Sequence, residues 1–191
     1  MRGKKEELLP DSSDIQEHFS KLYTGNNDTN SNNFLQDVNE SEKIELTEKI
    51  TLDEIKLHIG KAKNKKAAGK DGISNEILKD SSAEMLNLYE SLFNKIIERE
   101  RYPTRWNTSI TQIIHKEGPR DEPENFRGTA LTSNLSKNFN AIMNTRINNY
   151  LEENNLIAIE QGGFRRDHRT TDHIFVLQSI VQQYLDKGVF S

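Results

Sequence analysis

Apolar positions recur at helical spacing in five stretches of this chain and alternate in two. "SSDIQEHFSKLY" sets Ile15, Phe19, Leu22 and Tyr23 on one stripe behind a Ser/Asp start, which predicts a short amphipathic helix. "TLDE" at Thr51 to Glu54 is a capping box: the Thr51 hydroxyl accepts from the Glu54 amide while Glu54 reaches back. Leu52, Ile55, Ile59 and Ala62 then share one helical face up to about Lys63. A second box, "SSAE" at Ser81 to Glu84, opens the strongest helix. Met85, Leu88, Tyr89, Leu92, Phe93, Ile96 and Ile97 form its broad stripe, and Tyr102-Pro103 ends it. The period then shortens. "TSITQIIHKEG", Thr108 to Gly118, reads as a strand with Ile110 and Ile114 on one side, "GPRDEP" as a turn, and "NFRGTALT", Asn125 to Thr132, as a second strand. Together they predict an antiparallel hairpin. Two helices follow: Leu135, Phe139, Ile142, Met143 and Tyr150 line the first, and Ile174, Leu177, Val181 and Tyr184 the second. The last helix is expected to start at Thr170 or Thr171 and stop at Gly188.

The stretches between are equally informative. "TGNNDTNSNNF", Thr24 to Phe34, is polar, rich in Asn and without period, and reads as a flexible linker. "KNKKAAGKDGIS" is a lysine-rich loop that is expected to turn at Gly69 and Gly72. "QGGFRRDHR" is an irregular connection ahead of the last helix. The fold class expected is α+β, mostly helical around a small antiparallel β-hairpin, with residues 1–50 as a flexible leader and 51–191 as the main body.

Charge supports that division. Residues 1–60 hold 7 Lys/Arg against 13 Asp/Glu, whereas 61–100 hold 8 against 7 and 101–191 hold 11 against 10. The net charge of -4 therefore resides in the N-terminal third, leaving a slightly basic remainder on which a local anion-binding face is compatible. With no cysteine, disulfides and thiolate zinc sites are excluded. No apolar run approaches the ~18 residues of a membrane span and no signal-peptide core is visible, so an intracellular protein without membrane contact is expected.

Three segments occur in order: "KAAGKDGIS", "RWNTSITQIIHKEGPRDEPENFRGTALTSNLSK" and "QGGFRRDHRTTDHIF". From about Ile50 onward the chain resembles the N-terminal part of the reverse transcriptase domain of non-LTR (LINE-like) retrotransposons. The leader is similar to the segment that joins endonuclease to polymerase in such elements. The resemblance implies a fingers subdomain and the approach to the palm, with RNA template, DNA primer and deoxynucleotides as partners. Lys116 and Arg127 fall at positions that hold the nucleotide triphosphate, a dense anion suited to a point charge and a planar fork of donors. Gly128 leaves room for a close approach of substrate or backbone. Gln161, Gly163, Phe164 and Arg165 match a loop close to template and nucleotide. Lys65, Lys66 and Lys70 are candidates for backbone phosphates.

Each assignment has a plainer alternative. Lys116 and Arg127 can be solvated charges paired with Glu117 or Asp121, Arg165 can pair with Asp167 or Glu160, and the lysine loop can simply be hydrated. Thr171 and Asp172 are read as helix caps, and His168 and His173 as exposed polar residues. The family's two-metal chemistry uses Mg²⁺ held by palm carboxylates, including an Asp-Asp pair. No Asp-Asp pair occurs in these 191 residues, and Val189-Phe190 resemble the opening of the first palm strand. The expectation is thus no catalytic residue, no metal ligand and no cofactor bound by this chain alone. Ala68 and Lys70 replace two prolines of the pattern, Asp167 a glycine, and Asn138 and Asn140 an apolar and an acidic position. These departures leave two other readings open, a stand-alone nucleic-acid-binding remnant and an inert fragment of a decayed element.

Overall fold

The computed structural model describes residues 9–24, 46–158, 161–163, 165 and 169–187. Its elements in chain order are α1 (Ser12–Tyr23), α2 (Leu52–Lys61), α3 (Asn75–Lys79), α4 (Ala83–Arg99), β1 (Ile110–His115), β2 (Phe126–Leu131), α5 (Asn134–Glu153) and α6 (Thr170–Asp186). Short 3-10 turns at Thr104–Asn107 and Pro123–Asn125 flank β1 and precede β2. The protein is mostly helical with one two-stranded antiparallel sheet, as the patterning predicts. Two compact units divide it, Met1–Thr145 and Arg146–Ser191.

Local chemistry explains the helix starts. Thr51 and Glu54 form the expected reciprocal box, with the Thr51 amide donating to Glu54 Oε2 at 2.9 Å. The box expected at Ser81 lies elsewhere. Ser82 caps α4 by accepting from the Met85 amide, and its hydroxyl holds the Glu84 carboxyl below the usual carboxylate range. Ser81 is drawn away because its hydroxyl donates to the Ile77 carbonyl and meets the Tyr89 hydroxyl at 3.2 Å. That detour follows from α3, a single turn capped by Ser74 that the sequence pattern does not predict, being too short to carry a period.

The core of the first unit gathers Ile50, Ile55, Ile59, Leu78, Tyr89, Phe93, Ile96, Leu135, Phe139 and Ile142. Phe93 sits at its centre with edge-to-face contacts to Phe139, 5.3 Å between ring centroids, and to Trp106 at 6.3 Å. Asn94 extends the packing to the chain ahead of α2. Its side chain accepts from the Ile50 amide (2.8 Å) and donates to the Ile50 carbonyl (3.0 Å), satisfying both backbone groups of a buried residue. Met85 and Leu88, expected on the buried stripe of α4, are exposed, since Tyr89, Phe93 and Ile96 fill the facing space.

In the hairpin, Ile114 stands opposite Arg127 and Ile113 opposite Gly128. The two isoleucines share one side as expected. Ile110 and Ile114 are on the exposed face, because α1 occupies the other one. There Phe19 and Tyr23 stack on each other and press on Gly128, where an added Cβ would lie 2.5 Å from the Tyr23 hydroxyl and 2.9 Å from the Phe19 ring. Gly128 thus makes room for α1, and not for a substrate. Gly128→Ala is expected to release α1 at a cost of about 1–3 kcal/mol. Faster proteolysis after Lys21 in the variant checks this, and unchanged cleavage would contradict it.

In the second unit, α6 forms as expected, with Arg169 as its N-cap and the Arg169 amide donating to Asp172 at 2.7 Å. Its apolar stripe is nonetheless exposed at Ile174, Leu177, Val181 and Tyr184. The linker from Gly25 to Phe34 and the stop at Gly188 lie outside the described residues.

Candidate nucleic-acid and nucleotide site

The turn between β1 and β2 is organised by one asparagine. Asn125 donates from its side chain to the Pro119 carbonyl (2.8 Å) and to Glu122 (2.9 Å), while its carbonyl accepts from the Lys116 amide (2.8 Å). Gly118 adopts a left-handed φ of 84° beneath it, a conformation that suits glycine. The ladder therefore continues past His115, which puts Lys116 two positions beyond Ile114 on the same face as Arg127. Such diagonal neighbours are ~7–8 Å apart. Lys116 and Arg127 line one open cleft of about 530 Å³ with Ile114 and Thr129. Neither side chain makes an ion pair among the described residues, so the expected alternatives with Glu117 and Asp121 are not formed. Two cations share this hollow with the carboxylate of Glu117, which lines it as well without forming an ion pair to either. Asn125 and Thr129 were not singled out by sequence reasoning; a polar residue flanking a turn was the available signal for the first.

The lysine loop is built rather than loose. Asn75 donates to the Lys63 carbonyl (2.7 Å), Lys79 to Asn64 (2.6 Å), and the Lys65 amide to Glu76. That amide holds the Glu76 carboxyl below its usual range. Lys65 takes a left-handed φ of 57°, and Lys66 is exposed beside it. Lys70 instead shares a cleft of about 430 Å³ with Arg105 and Thr108. Arg105 is a second cation that sequence reasoning passed over, because it falls inside a 3-10 turn without a periodic signal. The loop's two glycines serve different ends. Gly72 has the turn conformation, φ 70°, whereas Gly69 packs against the Thr132–Ser133 backbone.

In the second unit, Arg165 grips Glu152 with a bidentate fork, both contacts at 3.0 Å, and the carboxylate raises the guanidinium pKa further. Its partner among the described residues is Glu152, while Glu160 and Asp167 lie outside them. Gly162 is filled by the His173 ring, while Gly163 faces open space and Gln161 is exposed. Phe164, Arg166, Asp167 and His168 lie outside the described residues. Among the described residues, no group of three or more acidic or histidine side chains is placed to share a cation. Among them, too, no helix is long and apolar enough to cross a membrane.

Over 140 residues the chain is 30% identical to a probable RNA-directed DNA polymerase from transposon BS of Drosophila melanogaster, covering 72% of this chain and 16% of that protein. It is 32% identical over 126 residues to the corresponding protein of transposon X-element from the same species, covering 65% and 14%. The RNA-directed DNA polymerase from its mobile element jockey is 27% identical over 148 residues, covering 74% and 16%. The chain is distantly homologous to mobile-element RNA-directed DNA polymerases. It spans between 14% and 16% of the length of these relatives. No protein-family model matches it.

Proposed function

We propose that residues 51–191 are the nucleotide- and template-gripping part of a non-LTR reverse transcriptase, the fingers and the approach to the palm, and that residues 1–50 are its leader. The observation that carries this reading is that Lys116 and Arg127 line one cleft on the hairpin, neither of them ion-paired among the described residues. A triphosphate brings several negative oxygens to such a face. Arg127 offers them a planar fork and Lys116 a mobile point charge. Thr129 adds a hydroxyl that donates or accepts on the same side. Lys65, Lys66 and Lys70, joined by Arg105, contact the sugar-phosphate backbone of the template without reading its sequence. In the loop after α5, Gln161 and the open Gly163 offer side-chain and backbone donors, while Arg165 braces the loop through Glu152 rather than meeting the strand.

Arg127→Ala is expected to weaken binding of a deoxynucleoside triphosphate by about tenfold or more, as loss of a hydrogen-bonding charge costs roughly 1.5–3 kcal/mol. Lys116→Ala should have a smaller effect. Calorimetric titration measures both, and equal affinity of Arg127→Ala and parent would remove this face from the function.

Joining nucleotides is not part of the reading. Two-metal catalysis needs closely placed carboxylates, and no Asp-Asp pair occurs in these 191 residues. A protein of these 191 residues alone is expected to incorporate no labelled deoxynucleotide on a primed RNA template. Incorporation by the pure protein would contradict that.

A further inference from the structure

A second cleft, of about 490 Å³, lies in the first unit among α2, α3 and α5 and shares no lining residue with the Lys116–Arg127 hollow. Its size falls within the ~300–1,000 Å³ usual for small-molecule sites. Ile59 and Leu78 give it an apolar base, Lys61 and Lys137 line it as well, and no carboxylate does. Burial and the neighbouring Lys61 hold His58 below its ordinary pKa, so the positive charge of the cleft comes from the two lysines.

Asn138 is the unusual group. It lies on the cleft at 6% exposure, and its Oδ1 is buried with no hydrogen-bond partner. The polar neighbours are not in this condition. Asn134 donates to the Ile73 carbonyl (2.9 Å) and accepts from Lys137 (3.2 Å), and Asn75 donates to the Lys63 carbonyl. A buried acceptor left unmet costs about 1–3 kcal/mol, and native proteins keep very few. Leucine would fill the same position without that cost.

We propose that this cleft binds an unpaired adenine nucleotide, the base against the Asn138 amide and the apolar base of the cleft, the phosphate between Lys61 and Lys137. The amide of asparagine complements adenine because it accepts from the N6 amino group while donating to the adjacent ring nitrogen. The pair with adenine requires Asn138 to turn so that Oδ1, buried in this structure, comes to the cleft beside the amide nitrogen. The proposal is carried by different residues from those of the triphosphate face and stands independently of it.

The test uses fluorescence anisotropy with a short labelled oligoadenylate and a matched abasic strand, which keeps the phosphates and lacks the bases. Oligoadenylate is expected to bind about tenfold tighter than the abasic strand, and Asn138→Leu to lower it to the abasic level while raising the melting temperature. Lys61→Gln and Lys137→Gln, both at exposed lysines, should weaken both strands alike and flatten the salt dependence. Arg127→Ala should leave the preference for the base intact, so a failure of the triphosphate reading is distinguishable from a failure here. Displacement by free AMP would assign a mononucleotide as the source, and displacement by unlabelled strand alone would assign single-stranded nucleic acid. Equal binding of the two strands, or a stabilised Asn138→Leu with unchanged affinity, would assign the amide to a bound water and overturn the proposal.

Discussion

Phe93→Ala is expected to lower the unfolding free energy of the first unit by about 3–5 kcal/mol, the usual cost of emptying a large buried aromatic position. Phe93 is fully buried, and three elements meet on it: α4 carries it, Phe139 of α5 lies on one side and Trp106 of the 3-10 turn on another. The cavity has little scope to collapse, because Phe139 and Trp106 also contact each other, at 6.2 Å, and Tyr102 lies against both. Since domains of this size have only about 5–15 kcal/mol to lose, the variant should stand near its folding limit. Urea denaturation followed by Trp106 fluorescence reports directly on the site. A midpoint shift equivalent to less than about 1 kcal/mol would mean that the ring is not central to the packing.

Gly69→Ala should cost about 2–3 kcal/mol, an unusual penalty for adding one methyl group at the edge of a loop. The new Cβ would lie 2.6 Å from the Ser133 nitrogen and 2.6 Å from the Thr132 carbonyl carbon, both of them backbone atoms. Relief requires moving the junction of β2 and α5, where the Ser133 hydroxyl caps α5 by accepting from the Ser136 amide. Gly72→Ala provides the comparison. Nothing lies within 4 Å of its added Cβ, and the strain comes only from its φ of 70°. Its cost should be about 1–2 kcal/mol. Thermal unfolding of the two variants side by side checks the order, and an equal or smaller loss for Gly69→Ala would refute the close contact.

The contrast between these glycines shows what a sequence can convey. Two glycines in a lysine-rich loop announce a turn, and Gly72 does turn, but nothing in the local sequence says that residue 69 touches residues 132 and 133. The same limit appears at Gly128, where a glycine opposite Ile113 was legible as a close approach although the visitor, α1, was not. Long periodic helices and the hairpin were legible because their signal repeats over several turns or alternations. The one-turn helix at Asn75–Lys79 repeats nothing, and its presence displaced the Ser81 cap. Which face of the hairpin is covered was not legible for a related reason: alternation shows that two sides exist, and only a distant helix decides between them. For the candidate site, Lys116 and Arg127 were visible through their motif. Arg105, Lys61 and Lys137 became candidates only when the fold brought them to clefts, and Asn138 stood out as a departure whose meaning depended on burial.

The helix laid across one side of the β1–β2 ribbon has a consequence for how these two strands can vary. On the covered side, Thr111, Ile113 and Gly128 lie against α1, and changes in bulk there should be punished whatever their charge. On the bare side, Gln112, Ile114 and Thr129 are free in volume, and only changes of sign beside the two cations should matter. Variation along the ribbon should therefore beat every second residue, one set of positions policed by size and the other by charge.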